Sequence, residues 1–264
     1  MISFTGSTRV GREIAETAGR QLKKVSLELG GKNALIVCDD ADLDNAAKWS
    51  ALSAYSNAGQ RCAAASRLLV FEDVYDAFLE KLLAETRAQK LGVEPDCHLG
   101  PVINARQLNA MTSAVERAKA AGARVLAGGG RASGPGLDEG FYMQPTVIEG
   151  AGPDSEVWSA ELFGPIALVH RVSGFEEAVA LANSSPYGLT AAIHTRNVDR
   201  ALTFVDRIQT GVAVINAGAH GSEPHMPFGG VKASGNGTRE PGTEALDVYS
   251  ELRDVYVNVR PELV

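Results

Sequence analysis

Apolar residues along this chain fall into two recurring patterns: short unbroken apolar runs, and longer stretches in which an apolar side chain returns every third or fourth position. Ala34-Leu35-Ile36-Val37 is a run of the first kind. Asp42 then stands where it can cap a helix whose Leu43, Ala46, Ala47, Ser50, Ala51 and Ala54 share one face, with Gly59 just past its end. Arg67 to Phe71 reads as a buried strand, and Val74, Ala77, Phe78 and Leu82 give the next helical face. Cys62 therefore falls in a connection from a helix to a strand.

The alternation continues. Asn104 is placed to cap a helix through Leu108, Met111, Val115 and Ala118 that stops at Gly122, and Arg124 to Ala127 reads as a strand followed by a surface turn from Gly128 to Gly136. Ile166 to Val172 and Thr190 to Thr195 suit strands on either side of a helix through Ala178, Val179 and Ala182, and Ser173 and Glu176 have capping-box spacing at its start. After Gly211 to Ile215 comes a long Gly- and Pro-bearing loop, Asn216 to Gly242, whose length suggests a functional or partner-facing role. The tail Val255-Tyr256-Val257-Asn258-Val259 alternates like a strand, and Ile2-Ser3-Phe4 looks like a strand feeding a helix. Strands alternating with helices define an α/β class with an open, mostly parallel, twisted sheet.

Composition narrows the function classes. With 45% hydrophobic and 22% charged residues in 264, the chain is globular, and no apolar run is long enough to span a bilayer. A net charge of −7, with Arg117, Lys119 and Arg124 scattered, argues against nucleic acid as a partner. The start has no basic and apolar secretory pattern and the three cysteines cannot all pair, so a reducing cytoplasm is expected.

Three places carry candidate chemistry. Gly6-Ser7-Thr8-Arg9-Val10-Gly11 opens a helix in a way that suits a phosphate, although it is neither a Rossmann nor a P-loop fingerprint, and an N-cap at Ser7 or Thr8 explains it as well. Glu28, between Leu27 and Leu29, is either a buried base with a raised pKa or a carboxylate solvated or paired with Lys32. Cys38 closes an apolar run, and Cys97 lies in a polar loop without metal-type spacing. Cys62, in Ser56-Asn57-Ala58-Gly59-Gln60-Arg61-Cys62-Ala63, has small neighbours that let a substrate reach the sulfur, and backbone N–H groups placed to lower its pKa and hold an oxyanion. The five histidines show no signature of a Cys-His hydrolase or a zinc protease, and no metal site is expected.

In order along the chain, Phe4-Thr5-Gly6-Ser7-Thr8, Leu27-Glu28-Leu29-Gly30-Gly31-Lys32, Gly59-Gln60-Arg61-Cys62, Glu161-Leu162-Phe163-Gly164-Pro165 and Pro227-Phe228-Gly229-Gly230-Val231-Lys232-Ala233-Ser234-Gly235 resemble the aldehyde dehydrogenase superfamily. The resemblance implies Cys62 as nucleophile and Glu28 as the base for the deacylating water. It implies NAD or NADP as cofactor, with Gly6, Ser7 and Val10 along the dinucleotide, Leu29 beside the nicotinamide, and Glu161 and Phe163 at the nicotinamide ribose and ring. The implied substrate is a small aldehyde, oxidised to a carboxylic acid through a cysteine thiohemiacetal and thioester.

The same resemblance implies a division into residues 1–30, a remnant of a Rossmann-like dinucleotide-binding domain, residues 31–242, the catalytic domain, and residues 243–264, a tail with an oligomerisation strand. In that family the first helix-strand units, the adenosine-ribose lysine and the oxyanion-binding asparagine precede the Phe-Thr-Gly-Ser motif, which here begins at the fourth residue. The chain is thus expected to be a C-terminal portion that forms a homo-oligomer or associates with a missing N-terminal half. The alternative function is a non-catalytic fragment serving as an assembly or binding module.

Overall fold

The computed structural model describes residues 1–221, 223–260 and 262. In chain order its elements are β1 (Ile2–Thr5), α1 (Thr8–Arg20), β2 (Val25–Glu28), β3 (Asn33–Val37), α2 (Leu43–Tyr55), β4 (Ala65–Phe71), α3 (Tyr75–Arg87), α4 (Ala105–Ala120), β5 (Arg124–Ala127), β6 (Thr146–Glu149), α5 (Glu156–Ser159), β7 (Ile166–Val172), α6 (Phe175–Asn183), β8 (Tyr187–Gly188), β9 (Thr190–His194), α7 (Val198–Arg207), β10 (Val212–Ile215), β11 (Val231–Lys232) and α8 (Ala245–Tyr249). Seven strands form the main sheet in the order β10-β9-β3-β4-β7-β6-β5. Every neighbouring pair in it is parallel except β5 with β6, so the α/β, mostly parallel architecture expected from the alternation is present. β1 and β2 form a separate parallel pair, and β8 with β11 a short antiparallel one.

The core follows from the two-residue period of the central strands. Leu35, Val37, Leu68 and Val70 pack with Ala47, Ala51, Phe78 and Leu82 of α2 and α3 on one face. Ile36 and Leu69 point the other way, onto Leu108, Met111 and Val115 of α4, Ala178 of α6 and Phe204 of α7. Burial contributes about 1.5–3 kcal/mol for each such side chain. The central strands are therefore firmly seated, and the loops at their ends have a rigid base.

Side-chain caps hold several helices where the sequence places them. Asp42 accepts from the Asn45 N–H at 3.1 Å and Asn104 from Gln107 at 2.9 Å, while Ser7 caps α1 at 3.5 Å. The capping box at α6 is a correction. Glu177, not Glu176, accepts both the N–H and the hydroxyl of Ser173 at 2.7 Å, because Gly174 is the N-cap and the helix begins one residue later than the spacing assumes. Glu176 turns instead to Arg207 at 2.6 Å.

The tail has no strand partner among the described residues of this chain. Residues 251–260 are exposed, and Val255 to Val259 pair with none of the described strands. A strand exists only through a neighbour's hydrogen bonds, and no described strand of this chain runs beside the tail. Pro261, Leu263 and Val264, at the far end of the tail region, lie outside the described residues. No described helix is long and apolar enough to cross a membrane.

Residues far apart in sequence tie the β1-β2 pair to the late loop and to α8. The Leu29 N–H donates to the Ser234 carbonyl at 2.9 Å, Leu27 N–H to Asn236 Oδ1 at 3.1 Å, and Lys24 Nζ to the Asp247 carbonyl at 2.6 Å.

Candidate active site

The C-terminal ends of β1 and β2 converge with the loops that enter β4 and β7, and a cavity of about 720 Å³ lies between them. Thr5, Gly6 and Ser7 bring the end of β1 to it, Leu29 and Gly30 the end of β2. Gln60 to Ala63 form the wall before β4, Glu161 and Phe163 the wall before β7. His220 and Phe228 come from the long late loop.

The segment presenting Cys62 is strained and heavily pinned. After α2 the chain turns through Asn57 and Ala58 at φ of 54° and 53°, then Gly59 at 66°. Left-handed backbone costs about 1–2 kcal/mol for a residue with a side chain. At Gly59 a glycine is required twice over, since a Cβ there would overlap the Gly164 carbonyl. Gln60 Oε1 accepts from the Ile103 N–H at 2.8 Å, and its Nε2 donates to the Pro101 carbonyl at 3.3 Å. Asn33 Nδ2 donates to the Cys62 carbonyl at 2.7 Å and the Ala64 carbonyl at 2.9 Å, while its Oδ1 accepts from the Thr190 N–H at 3.1 Å. These bonds fix the sulfur's position relative to the sheet.

Charges near the sulfur compete. Burial pushes the Cys62 thiol up, the Glu161 carboxylate adds to this, and so does Glu28; the N–H groups of Ala63 and of Cys62 itself act the other way. The backbone N–H groups thus act in the expected direction, but desolvation outweighs them and the net shift is upward. Glu28 is 9% exposed and neither of its carboxylate oxygens has a hydrogen-bond partner among the described residues. Burial pushes it up to about 8, with the Arg239 guanidinium opposing and Glu240 reinforcing the rise. Its carboxylate lies beside Gly229 and Arg239.

Lys32 is not the partner of Glu28. It is itself buried, and desolvation and then the neighbouring Arg67 bring it down to about 7, with Glu161 opposing. Glu161 accepts from the Gly31 N–H at 3.0 Å; burial pushes its pKa up, while that N–H and Lys32 hold it down. The buried Arg67 guanidinium anchors the strand that carries these groups, donating to the carbonyls of Lys32, Leu181 and Ala182 at 2.7 to 3.1 Å.

Of the residues singled out by sequence, Cys62, Gly6, Ser7, Leu29, Glu161 and Phe163 meet in this one cavity. Glu28 reaches Cys62 through its field and is not part of the cavity wall. Val10 lies elsewhere, in a shallow surface depression with Ile2 and Ile14. Gly11, by contrast, lets α1 approach closely, since a Cβ there would collide with the Leu29 side chain. Sequence reasoning missed Asn33, Gln60 as a loop anchor, Ile103 and Gln107. Only Asn33 left a trace, as a polar residue opening an otherwise apolar strand; the others are brought to the site by tertiary packing.

This chain, with a cysteine held where the β1-α1-β2 unit meets a parallel sheet, matches the aldehyde dehydrogenase family over residues 1–255, and it belongs to that family. Over 264 residues it is 43% identical to a benzaldehyde dehydrogenase (NAD+) of Pseudomonas putida, covering 99% of this chain and 53% of that protein. A succinate-semialdehyde dehydrogenase (NADP+) of Deinococcus radiodurans is 44% identical over 238 residues, covering 89% of this chain and 49% of its own length. Among solved structures, a betaine aldehyde dehydrogenase from Staphylococcus aureus in complex with NAD+ superposes with a TM-score of 0.90 at 35% identity, covering 94% of this chain and 49% of that one. The chain spans about half the length of the relatives it matches.

Proposed function

We propose that this chain is the catalytic part of an NAD(P)+-dependent aldehyde dehydrogenase, with Cys62 as nucleophile and Glu28 as the base of the hydrolytic step. The observation that carries this reading is the convergence of Cys62 with Gly6, Ser7, Leu29, Glu161 and Phe163 on one cavity. That wall fits a nicotinamide dinucleotide: Gly6 and Ser7, just before the N-terminus of α1, line it, and Leu29 and Phe163 supply apolar surface beside the Glu161 carboxylate. When bound, the cofactor supplies a hydride acceptor.

The Cys62 thiolate attacks the aldehyde carbon, and the oxyanion that forms is met by the backbone N–H groups of Cys62 and Ala63, which act to lower the thiol pKa. Glu28 then takes a proton from the water that hydrolyses the thioester, releasing the carboxylic acid and the free thiol. A carboxyl raised to about 8 is a stronger base, once ionised, than an ordinary glutamate. Glu161 holds Gly30 and Gly31 in place through the Gly31 N–H.

In this reading residues 1–30 belong to a dinucleotide-binding unit, residues 31–242 to the catalytic unit, and residues 243–264 to a tail that pairs in an oligomer. Exposed Leu252, Val255, Tyr256 and Val257 support the last assignment, as surface that a second copy or an upstream half would cover. A cytoplasmic setting suits the free thiols. NAD+ affinity by calorimetry and NADH production from several aldehydes, measured with and without an added upstream half from a related enzyme, test the proposal. Weak binding alone and turnover on complementation are expected. Tight binding and full turnover by the 264 residues alone would overturn the half-enzyme reading. Complexes that assemble yet never turn over would favour a binding module.

A further inference from the structure

We propose that Arg61, His220 and Ser53 form an anion subsite in the cavity wall that selects aldehydes carrying a carboxylate at the end remote from the carbonyl. The proposal rests on the reading of Cys62 as nucleophile and adds the substrate's chemistry to it. Arg61 immediately precedes Cys62, lines the same cavity, and is exposed. Its guanidinium enters none of the chain's salt bridges and donates to no acceptor among the described residues, whereas Arg9, Arg20, Arg117, Arg124, Arg171, Arg200 and Arg207 all pair with carboxylates.

An unpaired arginine on a surface is ordinary; a second donor fixed in the same cavity is not. His220 Nδ1 lies 3.1 Å from the hydroxyl of Ser53, which α2 buries completely. The hydroxyl is placed to donate to Nδ1, the arrangement that puts the imidazole proton on Nε2. Trp49, one turn earlier on α2, braces the ring at a centroid distance of 6.0 Å. Gly218 makes room for the pair, since a Cβ there would overlap both the Ser53 hydroxyl and the imidazole. Burial and the Arg61 charge keep the imidazole below its ordinary pKa, so it acts as a neutral N–H donor beside a fixed cation. The other charged group on the cavity wall, Glu161, is bonded to the Gly31 N–H. Guanidinium plus N–H is a donor pair suited to a carboxylate.

The test compares alkylation of Cys62 by iodoacetate, an anion, with that by neutral iodoacetamide, in the full chain, by mass mapping. The rate ratio cancels any change in thiolate fraction, because both reagents consume the thiolate. An anion subsite raises the iodoacetate-to-iodoacetamide ratio at Cys62 about fivefold over that at Cys97, and Arg61→Gln removes the excess. Ser53→Ala, which frees the imidazole, lowers the ratio in part. Glutarate protects Cys62 and glutaramide does not. Fast labelling of Cys62 with a ratio that Arg61→Gln leaves unmoved, or equal protection by both additives, would overturn the subsite alone. Labelling of Cys62 no faster than that of buried Cys38 with either reagent would overturn the nucleophile reading, and the subsite with it.

Discussion

Asn33, the first residue of β3, holds the backbone carbonyl of Cys62 at 2.7 Å, so the segment that presents the sulfur is bonded directly to the central sheet. Asn33→Ala removes both side-chain donors and strands the buried Thr190 N–H. The expected cost is about 2–4 kcal/mol, read as a fall of roughly 5–10 °C in the melting temperature. Alkylation of Cys62 in the folded variant should lose its site-specific rate, because the turn through Asn57 and Ala58 is then free to relax. An unchanged melting temperature would show that the three bonds contribute nothing net.

Cys62 should be alkylated at least tenfold faster than Cys38 at limiting iodoacetamide. Burial puts the Cys38 thiol at about 12, and its side chain is fully enclosed, whereas Cys62 opens on the cavity. Because the Cys62 thiol is itself raised, its labelling rate should keep climbing as pH passes above the usual thiol range. A rate that levels off at neutral pH would contradict that electrostatic balance.

Glu28→Gln separates the raised carboxyl from everything else that titrates. Its folded pKa, about 8, lies above the model-peptide value of 4.5, so the folded state keeps a proton that the unfolded state releases. The stability tied to that proton is fully present below pH 4.5 and is lost as pH rises through about 8. The variant, which has no proton to lose, should match the wild type near pH 4 and melt about 3 °C higher or more at pH 9. A melting difference that does not change with pH would remove the case for a desolvated Glu28. In a complemented enzyme the same substitution should leave a stoichiometric NADH burst and slow the later turnover; loss of both would assign Glu28 to acylation or folding.

Arg67→Ala should be among the most damaging single changes in the chain. It leaves the buried carbonyls of Lys32, Leu181 and Ala182 without their donor and opens a void beside Trp158. A loss of about 3 kcal/mol or more is expected, and chemical denaturation of purified protein measures it. A midpoint within error of the wild type would show that water replaces the guanidinium at no cost.

The fold was legible wherever a single period ran long enough. The faces of α2, α3 and α4, and the caps at Asp42 and Asn104, are local features, written in residues a few positions apart. Strand order was not legible, since placing β9 beside β3 joins residues more than 150 positions apart. At the site, the motifs around Cys62 and Glu161 come together on one cavity wall, but the direction of the Cys62 shift depends on how much water the finished fold excludes. No spacing rule carries that information. The bond of His220 to Ser53 of α2 exists only after the late loop has folded back.

The stitching of β2 to the late loop sets an order of events in synthesis. Leu27, Leu29 and Lys24 find their hydrogen-bond partners at Asn236, Ser234 and Asp247, more than 200 residues later. At translation rates of about 5–20 residues per second, residues 1–30 wait on the order of ten seconds or more after leaving the ribosome before those partners exist. During that interval β1, α1 and β2 lack these partners, and a two-stranded pair with one helix is by itself too small to hold a core. Of the residues that line the cavity, those at the ends of β1 and β2 are therefore made before the partners that hold them, and they acquire their shape only when the late loop arrives.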